Sequence, residues 1–214
     1  MAKITKQMEQ WSGNFGHKYT DRNTFEVDKL DQVYMKEFGV SATELYLDYV
    51  GQMPKDIKVL EVGSNSGNML GLFRSMGFEN VYGIEINRYA IGVCRARMKD
   101  VSIIEGSALD IPFKDGYFDL VFTAGVLIHV SPDDIKTVLN EIYRCSGKYI
   151  MGCEFYSDSY QELDYRGNKD LLWKTDFNRL YQETFQGLKP LKERRIKYSG
   201  TDKEDSMYLL EKKA

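Results

Sequence analysis

The sequence predicts an α/β protein built on a mostly parallel sheet with helices on both faces, and three observations carry that prediction. Short apolar runs alternate with helix-period segments between residues 58 and 154. The run Val59-Leu60-Glu61-Val62-Gly63-Ser64-Asn65-Ser66-Gly67-Asn68 breaks from an apolar strand into a glycine-bracketed turn that opens a helix. The following strand, Val81-Tyr82-Gly83-Ile84-Glu85, ends on a carboxylate 18 residues past the second glycine. This is the βαβ spacing of folds that seat nucleoside-bearing ligands.

The elements follow in order. Residues 1–23 are polar but carry Trp11, Phe15 and Tyr19 with Gly13 and Gly16 between them, so the segment is expected to fold over something. From Thr24 to Val50 the apolar positions recur at helical spacing and break near Gly39-Val40-Ser41. Ser41 with Glu44 reads there as a capping box, which makes two lead-in helices. Strands are expected at 58–62, 81–85, 101–104, 118–123 and 147–154. The helices between them are expected at 67–77, 88–98 and 132–145, the last opened by Ser131-Pro132. After Phe155 comes a polar, aromatic stretch through Lys174, then a short helix at 177–186. Strands at 192–199 and 206–211, joined by Gly200-Thr201-Asp202-Lys203, read as a hairpin at the sheet edge. The run Lys192-Glu193-Arg194-Arg195 reads as the wet face of that edge strand.

Composition narrows the function. At 214 residues, 43% hydrophobic and 29% charged, the chain fits one main domain: residues 1–50 as an aromatic lid with lead-in helices, and residues 51–214 as the ligand-binding domain, with a substrate-cap segment near 155–180. Lys plus Arg total 29 against 32 Asp plus Glu, so the surface is not built to neutralise a phosphate backbone and no nucleic-acid partner is expected. Cys94, Cys145 and Cys153 form no C-x-x-C pair. With only His17 and His129 beside them, no zinc-ligand spacing can be written, so no metal is expected. The first residues lack an apolar leader and no stretch has the ~18 apolar residues of a membrane span, so the expected location is cytoplasmic, off the membrane.

The glycine turn has the spacing G-x-x-x-G. A dinucleotide fingerprint would place glycine at position 65, where this chain has Asn65, so the turn suits a ligand without phosphates. Glu85 at the end of its strand can accept hydrogen bonds from both hydroxyls of a ribose. Together with Ile104-Glu105-Gly106-Ser107-Ala108-Leu109-Asp110-Ile111-Pro112-Phe113 and the strand Phe118-Asp119-Leu120-Val121-Phe122, these motifs resemble the class I S-adenosylmethionine-dependent methyltransferases over roughly residues 55–155. The resemblance implies a Rossmann-like, seven-stranded sheet whose C-terminal strand is antiparallel, and S-adenosylmethionine as cofactor, with S-adenosylhomocysteine as product. It also assigns cofactor contacts: Glu61, Gly63, Ser64, Asn65 and Gly67 at the methionine end, Glu85 and Ile86 at the ribose, and Ser107 and Ala108 at the adenine. Ala124 and Gly125 fall beside the sulfonium. Many members carry aspartate at the position of Ser107, which leaves a hydroxyl here as the adenine-facing acceptor.

A narrower set of motifs extends the match: Trp11 with Phe15-Gly16, Tyr19 and Arg22-Asn23; Gly125 through Pro132; Lys148-Tyr149-Ile150 leading to Glu154-Phe155-Tyr156; Tyr165-Arg166-Gly167; and Lys174 with Asp176-Phe177. This set is similar to the pseudaminic acid biosynthesis-associated methyltransferases, although the closing tryptophan-containing stretch of that family is replaced by Ser206-Met207-Tyr208. The resemblance implies methyl transfer to an oxygen or nitrogen of a small polar metabolite, with a sugar-derived molecule of surface-glycan biosynthesis as the candidate. A protein side-chain methyltransferase and a non-catalytic cofactor-binding protein are the alternatives. A hydroxyl or protonated amine acceptor has to lose a proton, and His129 and Glu154 are the candidate bases. Trp11, Tyr19, Arg22, Tyr156, Tyr165, Arg166 and Asp176 are candidate substrate residues, aromatic surfaces with arginines and a carboxylate among them.

Overall fold

A computed structural model describes residues 3–213. The chain gathers into two compact units, Met1–Ser107 and Ala108–Ala214.

In the first unit, four helices lead in: α1 (Lys6–Ser12), α2 (Asn14–Arg22), α3 (Val27–Phe38) and α4 (Ala42–Val50). They are followed by β1 (Lys58–Val62), α5 (Asn68–Ser75), β2 (Asn80–Glu85), α6 (Arg88–Arg97) and β3 (Ser102–Glu105). The helix ends are chemically specified. Gly39 stops α3 in the left-handed region at φ 71°, where a side chain would be strained, and donates its N–H to Met35 O. Ser41 then opens α4 as expected, its hydroxyl accepting from the Glu44 N–H at 3.0 Å. Asn87 opens α6 in the same way, its Oδ1 accepting from the N–H groups of Tyr89 and Ala90. β1 pairs parallel with β2, and β2 with β3. Val59, Leu60, Val62 and Ile84 of these strands are buried with Leu70, Leu72 and Phe73 of α5 and with Tyr46 of α4. Burying each such side chain contributes about 1.5–3 kcal/mol.

The second unit holds β4 (Phe118–Ala124), a short 3-10 turn at Leu127–His129, α7 (Ile135–Cys145), β5 (Ser146–Phe155), β6 (Gln161–Tyr165), β7 (Asn168–Lys174), α8 (Phe177–Thr184), β8 (Leu188–Lys197) and β9 (Glu204–Lys212). On α7, Ile135, Val138, Leu139 and Ile142 make one buried stripe. β4 and β5 run parallel, while β9 runs antiparallel to both β5 and β8. The sheet has seven strands in the order β3-β2-β1-β4-β5-β9-β8, mostly parallel with an antiparallel C-terminal strand, as the sequence predicts.

The first strand of the terminal hairpin, expected at 192–199, lies at Leu188–Lys197, and two further expectations change. The helix expected from Pro132 begins at Ile135, because Ser131 to Asp134 form a turn closed by the Asp134 N–H on Ser131 O at 2.9 Å. The aromatic stretch after Phe155 contains a separate antiparallel pair, β6 with β7. Its turn residues Arg166 and Gly167 both have positive φ, 55° and 79°, the primed geometry that matches strand twist in a hairpin. Asp164 secures the turn by accepting from the Gly167 N–H at 2.7 Å. Among the described residues, no helix is long and apolar enough to cross a membrane.

Candidate active site

In the first unit the glycine turn and the end of β2 are one hydrogen-bonded structure. Gly63, Asn65 and Gly67 all have positive φ, at 73°, 45° and 81°. A Cβ on Gly67 would come within 2.5 Å of Met98 Cε and 2.6 Å of Cys94 Sγ, so both conformation and space demand glycine there. The N–H groups of Gly63 and Ser64 both donate to Ile84 O, at 2.9 and 3.0 Å. Glu85 then grips the turn: its Oε2 accepts from the Asn65 N–H and its Oε1 from the Asn87 N–H, each at 2.8 Å. One residue beyond Glu105, the Gly106 N–H donates to Glu85 O at 3.1 Å, which brings Ser107 to the same corner. The Ser107 hydroxyl lies 3.9 Å from Met8 Sδ of α1.

Two acids share this corner. Burial raises the Glu85 carboxyl above its usual range, opposed by the N–H groups of Asn87, Asn65 and Ile86. Burial raises Glu61 well above its usual range too, the neighbouring Glu85 charge adds to this, and the Leu70 N–H opposes it. Glu61 Oε2 is buried and has no hydrogen-bond partner among the described residues. A cation beside this pair would favour the ionised form of each carboxyl.

Over the same corner lie α1 and α2. Trp11 stacks edge-on against Phe15 and Tyr19, with centroids 5.3 and 5.1 Å apart. Arg22 is exposed in the last turn of α2. The structure therefore brings Glu61, Gly63, Ser64, Asn65, Gly67, Glu85, Ile86 and Ser107 together in the first unit. Ala108, Ala124 and Gly125 lie in the second.

In the second unit, β4 ends at Ala124 and Gly125 turns the chain at φ 65°, its N–H donating to Cys153 O at 2.9 Å. Glu154 holds the turn that follows, its two oxygens accepting from the N–H groups of Val126 (3.2 Å) and Ile128 (3.4 Å). Only 1% of Glu154 is exposed. Burial pushes its carboxyl up to about 7, against the Thr123 hydroxyl and the N–H groups of Val126, Leu127 and Ile128, which favour the charged form.

His129, in the turn, sets its Nδ1 2.7 Å from Leu171 O of β7. A carbonyl only accepts, so Nδ1 carries the proton and Nε2 is the basic nitrogen. Burial pushes the imidazole down to about 4, with the Leu171 carbonyl opposing. The Tyr165 ring packs on His129 at 5.2 Å between centroids, whereas Arg166 is exposed at the hairpin turn. The hairpin thus fixes which imidazole nitrogen is basic.

The edge strand contributes a residue that the sequence reading missed. Strand register aligns Glu154, Ser206 and Arg195 across β5, β9 and β8, which puts all three on one face of the sheet. Arg195 lies 3.2 Å over the Tyr156 ring, and its Nη2 reaches Asp176 at 3.3 Å and Glu193 at 3.1 Å. Its side chain is 30% exposed rather than a wet edge, because strand alternation turns it toward Tyr156. Asp176 also opens α8, accepting from the Arg179 N–H at 2.9 Å. A cavity of about 470 Å³ adjoins this region, lined by Phe155 to Asp158, Lys174 and the turn at 201–204.

Residues 60–149 match the family profile described as a methyltransferase domain. An uncharacterized methyltransferase of Synechocystis is 26% identical over 87 residues, 41% of this chain and 41% of the relative, so the chain spans less than half the length of that protein. Two solved structures share the fold. Magnesium protoporphyrin IX methyltransferase from Synechocystis with bound S-adenosylhomocysteine superposes with a TM-score of 0.70 at 12% identity, covering 96% of this chain and 97% of that one. The 1,6-didemethyltoxoflavin-N1-methyltransferase of Burkholderia thailandensis, with its substrate and S-adenosylhomocysteine, does so at 0.66 and 15% identity, covering 100% and 93%. The residues of the first unit fit such a cofactor: the partnerless Glu61 Oε2 suits a cationic group, and Glu85 retains lone pairs for hydroxyls.

Proposed function

We propose that this chain, which carries a class I S-adenosylmethionine-dependent methyltransferase domain, transfers a methyl group to an oxygen or nitrogen of a small polar metabolite. The observation that carries the reading is Glu85, a buried carboxylate at the end of β2 whose two oxygens hold the glycine turn and the start of α6 in one piece.

When bound, the cofactor supplies a methyl group already made electrophilic by its sulfonium. The protein's residues have only to hold, align and deprotonate. In this reading Glu61, Gly63, Ser64, Asn65 and Gly67 seat the amino-acid end, Glu85 and Ile86 the ribose, and Ser107 and Ala108 the adenine, while Ala124 and Gly125 border the sulfonium. Residues 1–50 form the lid with its lead-in helices, consistent with α1 placing Met8 against Ser107. His129 is the base, with Nε2 ready to take the acceptor's proton and Nδ1 held by Leu171. General-base catalysis of this kind contributes about 10²–10⁴-fold. Glu154, spent on two backbone N–H groups, shapes the turn that presents His129 and is the second candidate for the proton. Tyr156, Tyr165, Arg166 and Asp176 of the cap are the candidate acceptor contacts in the second unit, and Trp11, Tyr19 and Arg22 of the lid those in the first. The Arg195 stack on Tyr156 beside Asp176 and Glu193 supports a polar acceptor, since these side chains carry hydrogen-bond donors and acceptors. The motif resemblance favours a sugar-derived one.

The test incubates the protein with methyl-tritiated cofactor and a small-molecule extract, then separates filtrate from macromolecule. Label in the filtrate is the expected outcome. Label confined to protein would establish the side-chain methyltransferase instead, and no transfer with intact cofactor binding would establish a non-catalytic binder.

A further inference from the structure

We propose that Asn68 and Arg97 are positioning residues that clamp the N-terminal helices onto the cofactor turn, so that cofactor affinity and the seating of α1 and α2 are set together. This rests on the reading that the turn holds S-adenosylmethionine.

The segment that joins α2 to α3, Asn23 to Glu26, runs past the start of α5. Asn68, the residue after Gly67, uses both ends of its amide on that strap: Nδ2 donates to Asn23 O at 2.6 Å and Oδ1 accepts from the Phe25 N–H at 3.0 Å. Arg97, in the last turn of α6, grips turn and strap with one guanidinium. Its Nη1 donates to Ser66 O at 2.9 Å and to Asn68 Oδ1 at 3.2 Å, its Nη2 donates to Phe25 O, and its Nε pairs with Glu26 at 3.1 Å. The Arg97 side chain is only 15% exposed, and most of its partners are backbone carbonyls and an amide. The array is therefore not the loose surface ion pair that contributes almost nothing.

The other end of the helical pair is held as well. Asn87, whose N–H is bonded to Glu85, donates through Nδ2 to Trp11 O at 3.0 Å at the end of α1. The fit is close, since a Cβ on Gly16 would lie 1.7 Å from Trp11 O and 2.8 Å from that Nδ2. At the outer face, Tyr89 donates to Asp21 at 2.6 Å. The contacts through Asn68, Arg97 and Asn87 thus tie the pair to residues of the turn or bonded to the turn or to Glu85. A ligand that orders Asn65 to Gly67 orders the carbonyl and amide on which the strap is hung, and by reciprocity a seated strap raises affinity for the ligand. Buried Cys94 of α6, the helix that carries Arg97, packs where a Cβ on Gly67 would fall and holds the turn close to that helix.

The decisive experiment is a double-mutant cycle on full-length protein, with S-adenosylhomocysteine affinity read by calorimetry and amide exchange read over residues 6–26. Asn68→Ala and Trp11→Ala are each expected to weaken binding about tenfold, and the double variant no more than about twentyfold, since both release the same lid. Asn68→Ala should also speed exchange over residues 6–26 in the ligand-free protein and abolish the further protection that ligand confers there. Arg97→Lys, which keeps the charge beside Glu26 but loses the fork, should reproduce both effects and stands in if Asn68→Ala fails to fold. Additive losses near a hundredfold, or unchanged affinity and exchange in Asn68→Ala, would overturn the clamp. If the wild type binds no S-adenosylhomocysteine, the functional reading fails, and the exchange arm still decides whether Asn68 holds the helices.

Discussion

Replacing Glu154 by Gln should reverse sign with pH. The wild-type carboxyl, 1% exposed, is pushed up to about 7 from an ordinary 4.5. An acid whose folded pKa is raised stabilises the fold only while protonated. Stability is therefore highest below the unfolded value, falls as pH rises between about 4.5 and 7, and is level above that. Moving the carboxyl from 4.5 to about 7, at 1.36 kcal/mol per pH unit, amounts to about 3 kcal/mol lost by the wild type across that interval. Gln carries no charge to bury, but it retains one carbonyl oxygen where Glu154 offers two to Val126 and Ile128. The forfeited bond costs about 1 kcal/mol at every pH. Below pH 4 the variant should be about 1 kcal/mol less stable than wild type, near pH 5 about equal to it, and near pH 8.5 about 2 kcal/mol more stable. Urea unfolding followed by tryptophan fluorescence reads this directly, because Trp173 is buried in the same unit. A difference between the two proteins that does not change with pH would refute the reasoning.

The acid limb of kcat/KM separates the two candidate bases: a limb near 4 identifies His129, whose imidazole must be neutral, while one near 7 identifies Glu154. Gly67→Ala places a Cβ 2.5 Å from Met98 Cε at φ 81°, and thermal unfolding should show a loss of about 2–4 kcal/mol; a neutral change would contradict the close packing of the turn. Gly152→Ala should be destabilising by about 2–3 kcal/mol, because its Cβ would meet the Tyr208 ring at 2.3 Å, and Tyr208→Leu in the same chain should recover most of that loss.

What was legible in the sequence is what local chemistry alone dictates. β1 follows the turn at Lys55-Asp56 and stops at Gly63, and it occupies the expected 58–62. Ser41 caps α4 because only a hydroxyl, amide or carboxylate there can take the Glu44 N–H. Glu85 falls at the carboxyl end of its strand because the glycine spacing sets how much chain the intervening helix consumes. The illegible parts depend on partners distant in sequence. The β6–β7 hairpin turns at Arg166-Gly167 rather than Asn-Gly, and its strands are polar on one side, so neither turn chemistry nor hydropathy announces it. Arg195 sits in a charge run whose inner and outer members differ only by strand alternation, which needs the register with β9 to be read. Its partner Tyr156 is 39 residues away, by the numbering. Likewise, nothing local shows that Glu154 is spent on the Val126 and Ile128 N–H groups, or that His129 is oriented by a carbonyl of a strand formed 42 residues later.

The most direct measurement titrates S-adenosylhomocysteine by calorimetry into wild type, Glu85→Ala and Gly63→Arg. Saturable one-site binding by the wild type, weakened at least about tenfold in Glu85→Ala and abolished in Gly63→Arg, is the expected result. No binding by the wild type, or equal affinity in all three, would contradict the assignment of the glycine turn and the β2 carboxylate as the seat of the cofactor.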